Sequence, residues 1–499
     1  MAALTAARLG RSVLLIEKNS KLGGTTRLSV GTVCTTSTPH QKAAGIVDTP
    51  QEHFEDMAKF AGPLVSRDNL RLRKLLVENV PETFQELLDL GITFIGPISE
   101  PPHRKPRLHA IVPHSKGYID RLARACRRLG VTIVTSAPAQ KLLLEDGRVS
   151  GVEYHRPEAR PTTAKARFGV VLASGDFSSA SSDYKRRFMN GPLLVLDGIN
   201  KTSTGDGHRL GESAGGEVLN GDLAWGPEIR FLAPSKPSFV TRLPSWPLVG
   251  RLIALGMTRL PQSLVRPFLM SFVTTFLAPS HNLFREGAIL VNARGERFCD
   301  ECARPQDAMA SEPEHTAYIV FDAAIASKFE AWPNYVSTAP GVGYAYLSDY
   351  QRSRRDITYS APTLVDLAAK LGIPAGPLEA AVQKANAERS TAAGANRPPL
   401  KGPFYALGPA KSWIVFNEGG LRVDERMRVI DKVGRPVAGL YAGGSCGQGG
   451  VILEGHGHHL GWAFTSGRIA GREAAFGASD WGLSQELELA PAKDLPDAA

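Results

Sequence analysis

The sequence predicts an α/β fold: a doubly wound, mostly parallel sheet with a second domain inserted into it. Three stretches carry that expectation. Ala2 to Leu9 is a helix pattern stopped by Gly10, followed by the apolar run Ser12–Ile16 and the acid Glu17. A second apolar run, Phe168–Ala173, ends in the small residues Ser174 and Gly175 and then Asp176. A third, Gly439–Ala442, enters a glycine-dense segment reaching Gly471. Short apolar runs of this kind suit parallel strands covered on both faces. In a doubly wound sheet, strands that end in small residues mark a ligand edge.

Taken in order, helix, glycine, strand and acid form the second half of a dinucleotide-binding βαβ unit. An acid at such a strand tip is placed to accept hydrogen bonds from a ribose diol. Met1 falls inside the helix pattern, so the first strand and its G-x-G-x-x-G turn are expected to be missing. After Glu17 come the glycine pair Gly23-Gly24 and the hydroxyls Thr25 and Thr26. Spaced apolar residues predict helices over Gln51–Phe60, Ser66–Asn79 and Glu82–Leu90, with Ser66 or Asp68 capping the second. Glu100 to His114 reads as a loop rich in Pro, Arg and His. Gly117–Leu129 is an amphipathic helix, Val131–Val134 a strand, and Gln140–Tyr154 a hairpin turning at Asp146-Gly147. Ser203–Gly216 is a turn that feeds a short helix, with Asp206 at its start.

Residues from Phe231 to His281 differ from the rest. They are rich in Leu, Phe, Val and Pro, with Arg242, Arg251, Arg259 and Arg266 spaced among them. The longest uncharged run, Pro267–Phe284, is too broken by Ser, Thr and Pro for a transmembrane helix. A cap packed on the core is the expectation, with peripheral membrane contact as the sharper alternative. Strands are expected over Gly287–Asn292 and Thr316–Asp322, helices over Pro362–Leu371 and Pro377–Arg389, a loop over Gly394–Lys401 and strands through Tyr405–Val429. The segment from Leu460 to Gly471 reads as a helix whose N-terminus stabilises negative charge.

Composition narrows the class. Hydrophobic content of 43% and charged content of 21% are those of a globular protein. A net charge of +9 comes without any Lys/Arg run interleaved with aromatics, so nucleic-acid binding is not expected. The 5 cysteines are too scattered for a disulfide framework, and Cys299-Asp-Glu-Cys302 is a lone pair. With no basic-then-apolar leader at Met1, the expected location is the cytoplasm.

With these pieces in place, the chain resembles the FAD-dependent flavoproteins of the fumarate reductase and succinate dehydrogenase family, which also contains 3-ketosteroid Δ1-dehydrogenases. The resemblance runs from Ala2 to about Ala475. It is carried by IEKNSKLGGTT, VVLASGDF, STGDG, GAILVNARGERFCDE and GGLRVDERMRVID followed by GLYAGGS, in the family's order. It implies a Rossmann-like FAD-binding domain with a glutathione-reductase-like sheet and an inserted α+β cap. The division expected is 1–230 and 404–476 for FAD binding, 231–403 for the cap and 477–499 for a flexible tail. It also implies FAD-dependent hydride transfer at a CH–CH bond of a small, lipophilic substrate, with an unidentified electron donor or acceptor. Glu17, with Lys18 beside it, would hold the adenosine ribose; Gly23, Gly24, Thr25 and Thr26 would line the pyrophosphate and flavin. Ala139 would touch the adenine through its backbone, Gly175 would lie at the ligand edge, and Asp206 would support the cofactor. Gly444 and Ser445 would lie by the ribityl chain, and Trp462 and Ala463 would offer backbone amides to the flavin.

The chain departs from its relatives where substrate is bound. Arg304 is the candidate for the family's arginine proton donor, one residue short in spacing. Phe416-Asn417-Glu418 precedes Gly419 where the fumarate reductases keep a histidine, and His459 stands where they keep a second arginine. The ketosteroid enzymes' tyrosine falls on Leu453. His456, His458 and His459 therefore occupy the place of both relatives' functional groups, and Tyr344 and Tyr346 are cap-side acids. Catalysis is assigned to Arg304, His459, His456 and Tyr344. No metal site is expected, because the three histidines are crowded together without carboxylate partners. A ketosteroid-dehydrogenase-like enzyme and a truncated, non-catalytic homologue are the alternatives.

Overall fold

The computed structural model describes residues 1–157, 160–235, 239–339, 343–391 and 398–477. The polar tail after Gly477 and residues 394–397, the first half of the 394–401 loop, lie outside the described residues.

Helix Ala2–Arg8 leads into strand Leu14–Ile16, which pairs in parallel with Thr132–Val134. A second parallel pair joins Val170–Leu172 to Pro436–Ala442, with Arg428–Ile430 added antiparallel. These parallel pairs belong to two separate sheets among the described residues. Each presents an unpaired edge, Leu14–Ile16 and Val170–Leu172, and both edges line one cavity. No described strand hydrogen-bonds to both. The hairpin Ala139–Glu145/Arg148–Tyr154 turns through Asp146 and Gly147, both at positive φ, as the Asp-Gly pair requires.

Helix His458–Phe476 closes the base, packed on Ala2–Arg8 and Leu70–Asp89. The approach is close: a Cβ on Gly471 would stand 2.3 Å from the Ala2 carbonyl. Leu70–Asp89 is one 20-residue helix where two are expected. Pro81 removes one i→i−4 hydrogen bond. The buried stripe Leu72, Leu76, Val77, Val80, Phe84 and Leu87 runs past it unbroken, so packing overrides the local preference. Its cap is Asn69, which accepts from the Leu72 amide at 3.3 Å. Asp68 is instead buried, ion-paired with Arg73 and accepting from the Ile452 amide.

Residues 100–114 correct the loop expectation. Leu108–Val112 is the central strand of a sheet with Thr32–Cys34 and Thr93–Ile98. Arg107, His109 and His114, which suggest a loop, are buried with partners. Arg107 pairs with Asp48 and Asp56, and His109 donates from Nδ1 to the Arg107 carbonyl at 2.8 Å.

The inserted unit is built on a sheet ordered Glu228–Phe231, Phe404–Trp413, Thr316–Asp322 and Ile289–Val291, with Thr358–Ala361 also on Phe404–Trp413. Phe404–Trp413 is its most heavily paired strand. The apolar segment forms helices Pro247–Arg259 and Gln262–Val273, and no described helix is long and apolar enough to cross a membrane.

Buried histidines make this fold sensitive to acid. Burial lowers His109 to about 3 and His208 to about 4, from an ordinary 6.5. Between those values and 6.5 the unfolded chain binds more protons, so stability rises with pH and is lost as pH falls below 6.5. Each such group contributes about 1.4 kcal/mol per pH unit in that window. Denaturant midpoints measured from pH 7.5 to 5.0 are expected to fall steadily below pH 6.5, and less steeply in His208→Gln. A flat profile would contradict it.

Candidate active site

A single cavity of about 2330 Å³ runs between the base and the inserted unit. Its base wall holds Glu17, Lys18, Gly23, Gly24, Thr25, Thr26, Ala139, Gly175, Asp206, Gly444, Ser445 and Ala463. Nearly all the residues that the family resemblance assigns to cofactor binding are thus brought together from six chain segments.

Local chemistry fixes several of them. Glu17 uses Oε1 to accept from the Asn19 amide and side chain at 2.8 and 2.9 Å. Gly24 has φ +49 and a Cβ built on it meets nothing within 4 Å, while one on Gly175 meets only Ser203 Oγ at 3.8 Å. Side chains at either position would project into the cavity. Thr25 Oγ1 accepts from Asn200 Nδ2 at 2.9 Å and lies 3.2 Å from Ser203 Oγ. Lys18 Nζ reaches Asp206 Oδ2 at 2.6 Å, tying the first segment to the Asp206 helix start. Burial alone would raise the Asp206 pKa, but the hydrogen bond and charge of Lys18 outweigh it and hold the carboxyl below its usual range. These glycines, hydroxyls and the acid fit a dinucleotide laid along the base wall.

The helix behind the flavin-edge assignment starts two residues earlier than expected, at His458. The amides left unpaired by helix geometry are therefore those of its first turn, before Trp462 and Ala463. Trp462 is fully buried and its Nε1 donates to the Gly444 carbonyl at 3.2 Å, so it braces the glycine turn from behind. Ala463 does line the cavity.

Of the four catalytic candidates, three reach the cavity. His459 lies on its wall, 3.4 Å from Glu418 Oε1 without hydrogen-bond alignment, its ring 3.9 Å from that of Phe416. His456 also lines it, its ring nitrogen Nδ1 and its amide both directed at Glu100 Oε1. Tyr344 lines the cap side and packs against Trp332 and Tyr335, so its ring serves packing as well. Arg304 is a correction. It lies outside the lining, two-thirds exposed, ion-paired with Asp307 three residues on. Leu453 is fully buried and no acid stands in its place.

Three further acids stand at the site. Glu100 and Glu418 are buried partners of His456 and His459, and distance along the chain hides them. Asp176 lines the cavity, its pKa raised by burial despite hydrogen bonds from Ser178 and Asn417. Its place at the end of the Val170–Leu172 strand was the available signal. The three crowded histidines also separate. His456 and His459 face the cavity, while His458 turns away to meet Cys34, His53 and His103.

The opposite wall is apolar. Ile253, Met257, Phe268, Phe272 and Phe276 line it from the 247–276 region. The outer faces of the same helices carry Leu248 and Leu264, 67% and 65% exposed, with Leu252 and Leu255.

A family model described as "FAD binding domain" matches residues 1–235 and 257–454. The NADH:fumarate oxidoreductase of Klebsiella pneumoniae (strain 342) is 26% identical over 465 residues, covering 89% of this chain and 42% of that protein. The chain thus spans about two-fifths of the length of that relative. The 3-oxosteroid 1-dehydrogenase of Mycolicibacterium smegmatis is 24% identical, with 95% of each chain covered. Among solved structures, the open conformation of a flavocytochrome c3 fumarate reductase superposes with a TM-score of 0.69 at 23% identity, covering 95% of this chain and 75% of that one. That likeness concerns the fold.

Proposed function

Because the chain belongs to the FAD-binding flavoprotein family whose model spans it, we propose that it is an FAD-dependent oxidoreductase acting at a CH–CH bond of a small, lipophilic substrate. The observation that carries this reading is the continuity of the cavity, from the glycine-lined base wall to the apolar wall of helices 247–273. Bound FAD supplies the hydride chemistry. The chain's own residues do the rest. Glu17 offers its second carboxylate oxygen to a ribose hydroxyl. The positive end of helix His458–Phe476 favours negative charge at its mouth. His459, oriented by Phe416 and Glu418, moves the proton at the carbon next to the one that exchanges hydride, and His456 or Tyr344 hydrogen-bonds an activating carbonyl. Fumarate and 3-oxosteroids, for which relatives are named, both carry a C=O group, which supports a conjugated carbonyl substrate.

The lipophilic arm is the more specific part. Arg266 and Arg230 line the cavity but are engaged by Asp349 and Glu228, so neither stands ready for a dicarboxylate. Anaerobic assays with a reduced artificial electron carrier are expected to show turnover of an apolar cyclic enone and none of fumarate; fumarate turnover alone would overturn the reading. A ketosteroid-type dehydrogenase is the second reading, favoured by the apolar wall and opposed by buried Leu453. Glu17→Ala is expected to weaken FAD binding by about 10–100-fold, the worth of one charged hydrogen bond, in a fluorescence titration.

We place the protein in the cytoplasm, its five cysteines being free thiols. The exposed leucines of helices Pro247–Arg259 and Gln262–Val273 would rest on a membrane surface, from which an apolar substrate enters. Co-sedimentation with anionic vesicles is expected for the natural sequence and reduced at least severalfold by Leu252→Glu; equal binding would contradict the contact.

A further inference from the structure

Behind the cavity wall, four metal-binding side chains from four separate segments converge. Cys34 ends strand Thr32–Cys34, His53 lies on helix Pro50–Ala61, His103 follows Glu100, and His458 opens the helix His458–Phe476. Cys34 Sγ is 3.5 Å from His53 Nε2 and 3.3 Å from His103 Nε2, and His53 Nε2 is 3.1 Å from His458 Nε2. All four ligating atoms lie within 4.8 Å of one another. A tetrahedral zinc ion, with Zn–N of about 2.0 Å and Zn–S of about 2.3 Å, spaces its ligand atoms about 3.3–3.7 Å apart. The three edges of 3.1–3.5 Å approach that tetrahedron, and the others lie within 4.8 Å.

We propose that Cys34, His53, His103 and His458 bind one zinc-class divalent ion in a closed, structural site of one thiolate and three imidazoles. Burial supports this over a chance cluster. Cys34, His53 and His458 are at most 1% exposed, and the His103 side chain is fully buried. Three imidazoles brought together out of water disfavour protonation, so their lone pairs need a common acceptor. The surroundings orient them as ligands. His458 Nδ1 faces the Glu454 carbonyl at 2.6 Å; donating there leaves Nε2 as a bare lone pair directed into the cluster. His103 Nδ1 lies 4.0 Å from Asp56 Oδ2, the carboxylate–histidine arrangement common behind metal ligands. Arg107 Nη1 also lies 3.0 Å from that nitrogen and competes for it in the metal-free state. His53 Nδ1 is buried with no hydrogen-bond partner among the described residues.

The proton balance is simple. Coordination deprotonates Cys34 and releases that proton to solvent, and the His103 and His53 hydrogens move from Nε2 to Nδ1, that of His103 facing Asp56. No redox partner is involved. The net charge of the ion and thiolate is offset by Asp48, Asp56 and Glu100, the acids that act on Cys34. With four protein ligands, the site keeps no open position for substrate. It fastens the 32–34 strand, the 50–61 helix and the 100–107 segment to the first residue of the 458–476 helix. His456 and His459, which line the cavity on either side of His458, are thereby held in place.

The test uses the full chain expressed with added zinc and purified without any metal-affinity step. Elemental analysis is expected to give about one zinc per chain, and zinc X-ray absorption a shell of one sulfur at about 2.3 Å and three nitrogens at about 2.0 Å. Cys34→Ser is expected to lose at least about nine-tenths of the metal while His456→Gln retains it. Fewer than about 0.1 zinc per chain in the natural sequence, a six-coordinate oxygen and nitrogen shell, or full retention in Cys34→Ser would each overturn the proposal. If Cys34→Ser does not fold, the stoichiometry and absorption shell of the natural sequence decide it. Zinc content is read independently of flavin content and turnover, so failure here leaves the oxidoreductase reading standing.

Discussion

Arg107→Leu is expected to destabilise the protein by about 3–5 kcal/mol, seen as a lower denaturant midpoint at an unchanged slope. Arg107 is fully buried. Its Nε and Nη2 donate to the two oxygens of Asp48 at 2.7 and 2.8 Å, and its Nη1 to Asp56. Burial pushes the Asp56 pKa up, but hydrogen bonds from Lys59, the Arg104 amide and Arg107 overcome this and hold it well below the carboxylate range. Leucine would leave two buried carboxylates facing one another without their shared cation. Such a loss costs more than the pair contributes, because the remaining charges stay desolvated. Arg107→Lys should recover only part of the loss, since a lysine cannot bond both acids in a fork. A change below about 1 kcal/mol in Arg107→Leu would show that water reaches the cluster.

His459→Gln is expected to lower kcat/KM by about 10²–10⁴-fold, the usual contribution of a positioned proton-transfer group, with FAD content unchanged. The side chain touches the cavity and has a ring neighbour in Phe416 and a buried acid in Glu418. A positioning role alone would instead give a smaller loss, recovered in part by an isosteric donor. Equal turnover in His459→Gln and the natural sequence would remove His459 from the reaction.

The base of the fold is legible because its signals are local. The apolar run before Glu17, the Asp146-Gly147 turn and the glycine-dense C-terminal segment each specify their own backbone. Pro81 misleads for the opposite reason: a local breaker is overridden by a buried stripe that only tertiary packing completes. Leu108–Val112 hides among prolines and cations because its polar neighbours find partners tens of residues away, Asp48 and Asp56 for Arg107 and Thr38 for His109. Arg304 shows the weakness of spacing as a warrant. Asp307, three residues further on, captures its guanidinium at the surface. The cofactor wall follows sequence motifs closely, since glycines and hydroxyls act through backbone and short side chains. The Cys34, His53, His103 and His458 cluster has no such motif, because its members span more than four hundred positions and meet only in the folded chain.

A flavin held along the base wall is expected to be reduced and reoxidised there. The most direct measurement is the visible spectrum of the purified full chain, reconstituted with FAD and titrated anaerobically with a reductant, then with a cyclic enone. The expected result is about one FAD per chain, bleached by the reductant and restored by the enone. A chain that takes up no FAD, or a bound flavin whose reduced form no conjugated carbonyl compound reoxidises, would contradict it.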